Sequence, residues 1–159
     1  MLIFTAVDAL SATYYISVSG SNSANGTSPG TAWKTFQKAF STMAGGDELI
    51  LLDGTYSEAA GTGYISHLGT GSGQPPSGTG RTIFTTVRAQ NPGNVKIVGG
   101  LFLGRSTRKV SYIKIQGITF EGGGDLYNTS YNYIKDCGFH NATNGEGVFG
   151  IGTNDHAQG

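Results

Sequence analysis

Apolar and polar residues alternate in three short segments of this chain, and this alternation is its most informative pattern. The segments are residues 95–97, 113–120 and 134–139. Alternation places every second side chain on the same face, as in a β-strand that packs one face against a core. Ile97, Ile115 and Ile134 follow one another at nearly equal intervals along the chain. An interval of about 20 residues predicts a solenoid, in which each turn of the chain buries its apolar face against the next.

The repeat therefore predicts an all-β protein with the fold of a parallel β-helix, built from three sheets. The side chains predicted to point into its core are apolar residues of the alternating segments: Ile97, Ile115, Ile118, Phe120, Ile134, Cys137 and Phe139. β-Forming residues bounded by Gly and Asn predict strands at 13–18, 48–53, 82–87, 95–98, 101–103, 110–115, 118–120, 131–135 and 148–151.

A single amphipathic helix is predicted near residues 33–44. Its apolar face consists of four side chains, Trp33, Phe36, Phe40 and Met43. We expect this helix to cap the open end of the solenoid, where apolar side chains would otherwise be exposed. The following segment, 48–53, is a nearly continuous apolar run. That composition predicts a strand buried on both faces, with the helix as its cover.

One β-helix domain accounts for residues 13–159, with a cap at about 13–60, an exposed loop at about 61–80 and coils at about 81–159. The loop assignment follows from a Gly, Ser and Pro-rich composition without periodicity. Residues 1–12 are apolar and end in small residues, which fits either a secretory leader or an N-terminal extension. We expect the sequence to be truncated, because it stops just after a predicted strand with no polar cap.

Composition narrows the class of protein. Charged residues make up only 13% of the chain, Gly contributes 27 of 159 residues, and ten basic residues balance ten acidic ones. Without a net charge, nothing in the composition attracts nucleic acid, and no apolar run is long enough to span a membrane. Low charge with abundant Gly, Ser, Thr and Asn favours a secreted or cell-surface protein. Cys137 is the only cysteine, so an intrachain disulfide is excluded and a buried, inert thiol is predicted.

Several short motifs resemble those of a known superfamily. They are YYISVSGSN at 14–22, TAWKTFQKA at 31–39, GDE at 46–48, DGTY at 53–56, YIKIQGITF at 112–120 and YIKDCGFHN at 133–141. Their order resembles the cap and first coils of secreted right-handed parallel β-helix proteins of the pectate-lyase-like superfamily. The resemblance implies action on, or binding to, polysaccharide. The same cap also precedes hydrolases, epimerases, surface proteins and phage tail fibres, so the activity stays open.

The resemblance to lyases of this class implies a site with Ca²⁺, carboxylate ligands and a basic side chain that removes a proton. Half of the acidic residues lie at position 121 or later, and we take Glu121, Asp125 and Glu146 as candidate Ca²⁺ ligands. Solvated carboxylates in turns are the alternative interpretation of these residues.

The basic residues cluster between positions 105 and 114. Arg108 and Lys109 are candidates for the catalytic base, and Arg105 and Lys114 are candidates for binding an acidic polysaccharide. Charges exposed to water in a turn are the alternative. Tyr131 is a candidate for stacking on a sugar ring. Lys114 and Lys135 are predicted to point outward at matching positions of neighbouring strands.

Two functions follow as hypotheses. The first is an extracellular polysaccharide-acting or polysaccharide-binding β-helix protein, of which this chain itself is expected to bind glycan weakly at most and not to cleave it. The second is a structural or adhesive β-solenoid whose copies associate by end-to-end stacking into a fibre. Neither hypothesis requires a cofactor, although Ca²⁺ is compatible with the first.

Overall fold

A computed structural model of the protein describes residues 11–57, 63–65, 73–104, 108–140 and 150–152. In these residues, short strands dominate and one α-helix is present. The strands in chain order are β1 (Thr13–Ile16), β2 (Glu48–Leu51), β3 (Gly54–Tyr56), β4 (Thr85–Ala89), β5 (Val95–Ile97), β6 (Leu101–Leu103), β7 (Val110–Ser111), β8 (Ile113–Gln116), β9 (Thr119–Phe120), β10 (Gly124–Tyr127), β11 (Thr129–Ser130), β12 (Tyr133–Lys135), β13 (Gly138–Phe139) and β14 (Gly150–Gly152). The helix α1 comprises Phe36–Thr42, and a 3₁₀ turn lies at Pro29–Thr31.

The strands form four parallel sheets. The first sheet has the order β1-β2-β4-β8-β12, the second β3-β5-β9-β13, the third β6-β10-β14 and the fourth β7-β11. The chain visits these sheets repeatedly in the same order, because β8, β9, β10 and β11 are followed by β12 in the first sheet again. The predicted all-β class with parallel strands and one helix is confirmed, and the arrangement is compatible with a β-solenoid.

The pairing register reproduces the predicted step from Ile115 to Ile134 but not the one from Ile97 to Ile115. Ile97 lies opposite Phe120 in the second sheet, and Ile115 lies opposite Val87 in the first. In the first sheet Ile115 lies opposite Ile134, and in the second sheet Phe120 lies opposite Phe139. The rings of these two phenylalanines stack with their centroids 5.0 Å apart. Parallel pairing therefore places equivalent residues of consecutive repeats directly beside one another.

The core consists of the side chains that the alternation assigned to the inside. Ile97, Ile115, Ile118 and Phe120 are fully buried. The corresponding residues of the next repeat, Ile134, Cys137 and Phe139, are half-buried and pack against the same core. The predicted inward phase is therefore correct across both repeats.

Helix α1 is shorter than the predicted span of 33–44. Thr35 begins it as the N-cap, since its Oγ1 accepts a hydrogen bond from the Lys38 N–H at 3.2 Å. Trp33 is buried, as predicted, but it precedes the helix and forms a parallel bridge with Ile16. The backbone of Trp33 is therefore used for strand pairing rather than for a helical turn.

The helix does not cover the outer face of β2, contrary to our expectation. Its apolar side chains share one core cluster with Leu49 and Leu51, so they pack on the inner face of the strand. Ile50 is also buried, but it lies opposite Tyr15 and Arg88 in the first sheet. Alternation puts Ile50 on the opposite face of β2 from Leu49 and Leu51, with Tyr15 and Arg88 as its neighbours in the sheet.

The free edge of β1 is covered by the chain that follows it. The Tyr15 N–H donates to the Gly26 carbonyl at 2.8 Å, and the Trp33 N–H donates to the Tyr15 carbonyl at 2.9 Å. The carboxylate of Asp47, which is nearly buried, accepts from the N–H groups of Ala12 at 2.9 Å and Ala44 at 2.8 Å. This end of the first sheet is therefore closed.

Four sheets are found where three were predicted. The predicted strand 110–115 is interrupted at Tyr112, and the predicted strand 131–135 is found as Tyr133–Lys135; the φ angles of Tyr112 and Tyr131 are 59° and 56°. A left-handed residue turns the chain, so 110–115 divides between the fourth and the first sheet, and Tyr131 separates β12 from β11, a strand of the fourth sheet that was not predicted. Other predicted strands are displaced by a few residues at most, as for 82–87, which is found as Thr85–Ala89.

The segment predicted as an exposed loop, about 61–80, is described at 63–65 and 73–80. Ile65 is fully buried and forms a parallel bridge with Leu101. Gln74 is also buried, and its side chain forms hydrogen bonds with the backbone of Gly104. Ile65 and Gln74 are therefore packed against the sheets, in contrast to the prediction, whereas Ser77 and Thr79 are exposed, as predicted. Of the predicted leader or extension at 1–12, residues 1–10 lie outside the described part.

Removing the aromatic ring of Phe120 tests whether the side chains predicted to point inward do form the core. Phe120→Ala should lower the free energy of unfolding by about 3–5 kcal/mol, because it deletes a fully buried aromatic side chain. Val98→Ala is the matched control, since Val98 is half-exposed, and it should change stability by less than about 0.5 kcal/mol. Urea denaturation measures both, and a loss below about 1 kcal/mol for Phe120→Ala would contradict the register.

The burial of Tyr56 makes the stability of the folded protein depend on pH in the alkaline range. Its ring is fully buried, and its hydroxyl lies 2.7 Å from the Leu52 carbonyl and 3.0 Å from the Ile16 carbonyl. Burial, and secondarily the charge of Asp53, raises the pKa of Tyr56 far above its ordinary value. The folded state thus favours the neutral phenol, and this contribution to stability is lost as pH rises above the ordinary tyrosine pKa of about 10.

Tyr56→Phe tests this dependence. At neutral pH the variant should be less stable by about 0.5–1.5 kcal/mol, the net contribution of one hydrogen bond. Above about pH 10 the wild-type protein should lose stability more steeply than the variant, so the difference should narrow. Urea denaturation at a series of pH values measures it, and parallel pH profiles for the two proteins would contradict the assignment.

Candidate functional site

A stack of aromatic rings lies between the fourth and the first sheet. Tyr112 separates β7 from β8, and Tyr131 follows β11 and precedes β12. Their ring centroids are 5.1 Å apart and their planes differ by 5°. Phe84, just before β4, meets Tyr112 edge-on at 6.1 Å. Three neighbouring strands of the first sheet are thus each preceded by an aromatic ring.

The left-handed backbone of Tyr112 and Tyr131 creates this stack. Each tyrosine turns the chain from the fourth sheet into the first, and the two turns occupy equivalent positions of consecutive repeats. The preceding residues, Ser111 and Ser130, are paired in register, with their hydroxyls 2.9 Å apart. A left-handed non-glycine residue costs about 1–3 kcal/mol, and ring stacking offsets about 0.5–1.5 kcal/mol of this cost.

A cation lies over the exposed end of the stack. The guanidinium carbon of Arg81 is 4.5 Å from the ring centroid of Tyr131. Arg81 sits in a tight turn in which the Thr79 N–H donates to the Ile83 carbonyl at 3.0 Å and the Ile83 N–H donates to the Gly80 carbonyl at 3.2 Å. Tyr131 nevertheless remains 52% exposed. Its ring therefore has accessible surface beside a positive charge.

A second cation and a second tyrosine continue this surface onto the first sheet. Lys114 of β8 lies opposite Thr86 on one side and Tyr133 on the other. Tyr133, which begins β12, is 50% exposed. Asn132, between Tyr131 and Tyr133, accepts a hydrogen bond from the Ile113 N–H. We call this surface the corner and define it as Arg81, Phe84, Tyr112, Lys114, Tyr131 and Tyr133.

The positive charges of the corner are not neutralised within the described part of the chain. The ion pairs found there join Arg88 with Glu48, Lys96 with Glu121, and Lys135 with Asp136. Arg81 and Lys114 have no such partner among the described carboxylates. A surface with exposed aromatic rings and unneutralised cations is chemically suited to a ligand that combines apolar faces with negative charge.

Two of the predicted glycan-binding residues lie in the corner, namely Tyr131 and Lys114. The third, Arg105, lies outside the described residues. Arg108 and Lys109, the predicted catalytic bases, are exposed and immediately precede β7. Arg108 already has an interaction with another part of the protein.

The predicted match between Lys114 and Lys135 is wrong. Lys114 lies opposite Tyr133, whereas Lys135 lies opposite Gln116. The strands pair with the interval that separates Ile115 from Ile134, and this interval is shorter than the one between the two lysines. Like charges are therefore displaced from one another along the sheet.

The candidate Ca²⁺ ligands are distributed over different elements. Glu121 follows β9 and forms an ion pair with Lys96 at 2.9 Å. Asp125 lies on β10 opposite Phe102, and Glu146 lies outside the described residues. In the described ranges, no group of three His, Cys, Asp or Glu side chains is arranged to hold a metal ion.

Arg81 and Phe84 were not identified from the sequence. The recurrence of Ser-Tyr at 111–112 and 130–131 is a signal of the stacked tyrosines, since it has the same step as the core repeat. No comparable signal connects Arg81 with Tyr131, because the two are distant in the chain and the contact depends on the turn at 79–83.

Comparison with protein-family models, with curated proteins and with solved structures found no match for this chain. The resemblance to the pectate-lyase-like superfamily therefore depends on the motifs quoted above. Among the described residues, no helix has the length and apolar character needed to cross a membrane.

Cys137 has the character of a structural residue. It is half-buried, and its Sγ donates weakly to the Lys135 carbonyl at 3.3 Å. Burial is the main cause that raises the pKa of the Cys137 thiol above its ordinary value. A higher pKa leaves less thiolate at neutral pH, and the thiolate is the reactive form.

The reactivity of Cys137 tests this assignment. A chromogenic thiol reagent at about pH 8 should react more slowly with the native protein than with the same protein in concentrated urea. The native rate should continue to rise as pH passes the ordinary cysteine pKa of about 8.5, because the folded protein titrates later. Equal native and denatured rates would contradict the prediction.

Proposed function

We propose that this chain is an extracellular polysaccharide-binding protein with the fold of a right-handed parallel β-helix, related to the pectate-lyase-like superfamily. Support for the fold comes from the in-register parallel pairs and from the repeated order in which the chain visits the sheets. The corner is the single observation that carries the function, because it places exposed rings and cations on one surface.

The chemistry of an acidic polysaccharide matches this surface. A sugar ring has an apolar face of C–H groups, which packs against the exposed ring of Tyr133 and the exposed edge of Tyr131. A carboxylate on the sugar is attracted to Arg81 and Lys114, which have no carboxylate partner in the described part of the chain. Apolar packing and charge attraction thus act on the same polysaccharide chain.

Binding by the corner alone is expected to be weak. The corner is an exposed surface rather than a deep cleft, so water screens its charges. Immobilising a flexible glycan also costs conformational freedom. We therefore expect a Kd of about 0.1–1 mM for an oligosaccharide. A polymer that contacts several copies of an immobilised protein binds more tightly through avidity.

The corner supports binding rather than cleavage. It supplies rings and cations, whereas the carboxylate Glu121 follows β9 of the second sheet and Asp125 belongs to the third sheet. β-Elimination requires a metal beside the substrate carboxylate and a base within contact of the same sugar unit. The corner supplies cations for the substrate carboxylate but no carboxylates of its own to hold that metal.

The alternative is a structural β-solenoid that stacks end to end into a fibre. Head-to-tail stacking requires that the outer edge of β1 accept a strand from another copy. That edge already pairs with the backbone at Gly26 and Trp33. The closed edge therefore favours glycan binding over a head-to-tail fibre.

Tyr131→Ala tests the proposed function. Loss of this ring removes the apolar contact surface of its edge and should weaken binding to polygalacturonate by about fivefold or more, a loss of about 1 kcal/mol. Val98→Ala, an exposed apolar residue outside the corner, should leave binding unchanged. Affinity electrophoresis and titration calorimetry with polygalacturonate, alginate and chondroitin sulfate provide the measurement. Failure of the wild-type protein to bind any of these polymers would contradict the proposal.

A further inference from the structure

Arg81 is held in place but has unused hydrogen-bonding capacity. Its guanidinium lies over the Tyr131 ring at 4.5 Å, and the side chain is exposed. Within the described residues it forms no ion pair. By contrast, Arg88 on β4 forms an ion pair with Glu48 on β2, at a distance of 2.7 Å. The two arginines therefore have different roles, and only Arg81 is available to a ligand.

The turn that carries Arg81 does not depend on the arginine for its position. The Thr79 N–H and the Ile83 N–H form hydrogen bonds within the turn. Before the turn, the Gly78 N–H donates to the Ser111 carbonyl at 3.0 Å, and Ser77 Oγ accepts from the Ser111 N–H at 3.1 Å. Hydrogen bonds of Ser77 and Gly78 thus anchor the segment to the fourth sheet, and the contact of Arg81 with Tyr131 is not required for anchoring.

The chemistry of guanidinium explains what this contact provides. Guanidinium is planar and always charged, and it offers N–H donors in a fork that matches the two oxygens of a carboxylate. Contact with an aromatic face restricts the long side chain before a ligand arrives, so less conformational freedom is lost on binding. Lys114, with its compact ammonium, supplies attraction without this geometric preference.

We infer that Arg81 is the residue by which the corner distinguishes acidic from neutral sugars, with Tyr131 as its positioning residue; this inference rests on the proposed function. A sugar carboxylate accepts two N–H groups of Arg81 while the sugar ring lies against the exposed part of Tyr131. No covalent step is involved, and the guanidinium stays over the ring in both the free and the bound protein.

The experiment compares two forms of one polymer. Polygalacturonate carries a carboxylate on each sugar, and its methyl ester retains the sugar ring without the charge. Wild-type protein, Arg81→Gln, Arg81→Lys and Tyr131→Leu are titrated with oligomers of each form. Lys34→Gln is the matched control, because it removes an exposed positive charge in the N-terminal segment, away from the corner. Thermal denaturation of every variant is measured alongside.

Arg81→Gln should weaken binding of the acidic oligomer by about tenfold to a hundredfold, as expected for loss of a charge-assisted, two-point contact. It should leave binding of the methyl ester within about twofold, and its Tm should remain near the wild-type value. Arg81→Lys should recover part of the affinity, since it restores the charge without the fork. Tyr131→Leu should weaken binding of both forms, and Lys34→Gln should weaken neither.

Equal binding of the acidic oligomer by wild-type protein and Arg81→Gln would overturn the inference and leave the proposed function intact. A lowered Tm for Arg81→Gln together with equal loss of both oligomers would also overturn it, because the arginine would then be structural. Absence of binding by the wild-type protein to either form would overturn the proposed function along with the inference.

Discussion

Parallel backbone pairing in a fixed register is the interaction on which the rest of this structure depends. In the first sheet, Leu49, Val87, Ile115 and Ile134 lie side by side, although the intervals between them along the chain shorten from each pair to the next. The strands keep the register, and the connecting segments absorb the differences in length. The same pairing aligns the core on the inner face and the corner on the outer face.

Much of the fold could be predicted from the sequence, because the core obeys a local rule. Alternation identified the inner face, and the step from Ile115 to Ile134 identified the neighbouring strands of the last repeats, as for Phe120 and Phe139. The neighbours of Ile50 in the sheet, Tyr15 and Arg88, could not be predicted in the same way, because both are distant from it in the chain. The fourth sheet was missed because backbone angles at Tyr112 and Tyr131 decide it, and tyrosine is not a residue type that signals a left-handed turn.

The candidate site was predictable only where it follows the repeat. Tyr131 and Lys114 were identified as single residues, whereas the stack with Tyr112 is a product of register. Arg81 reaches the stack from a turn with its own hydrogen bonds. Its place in the corner therefore depends on a connection whose length no periodic pattern constrains. The residues that distinguish one protein of such a fold from another lie in connections of this kind.

The left-handed tyrosines suggest how related sequences should be read. Glycine adopts this backbone conformation without a steric penalty, and Gly117 does so at the next turn of the chain after Tyr112. Glycine at 112 and 131 would adopt the left-handed conformation at a lower free-energy cost. A tyrosine at these positions therefore lowers the stability of the fold but places an aromatic ring on its surface. Relatives in which both positions are glycine would keep the sheets and lose the corner, and their ligands should differ. The residue type at positions 112 and 131 thus indicates whether a related protein shares the binding surface as well as the fold.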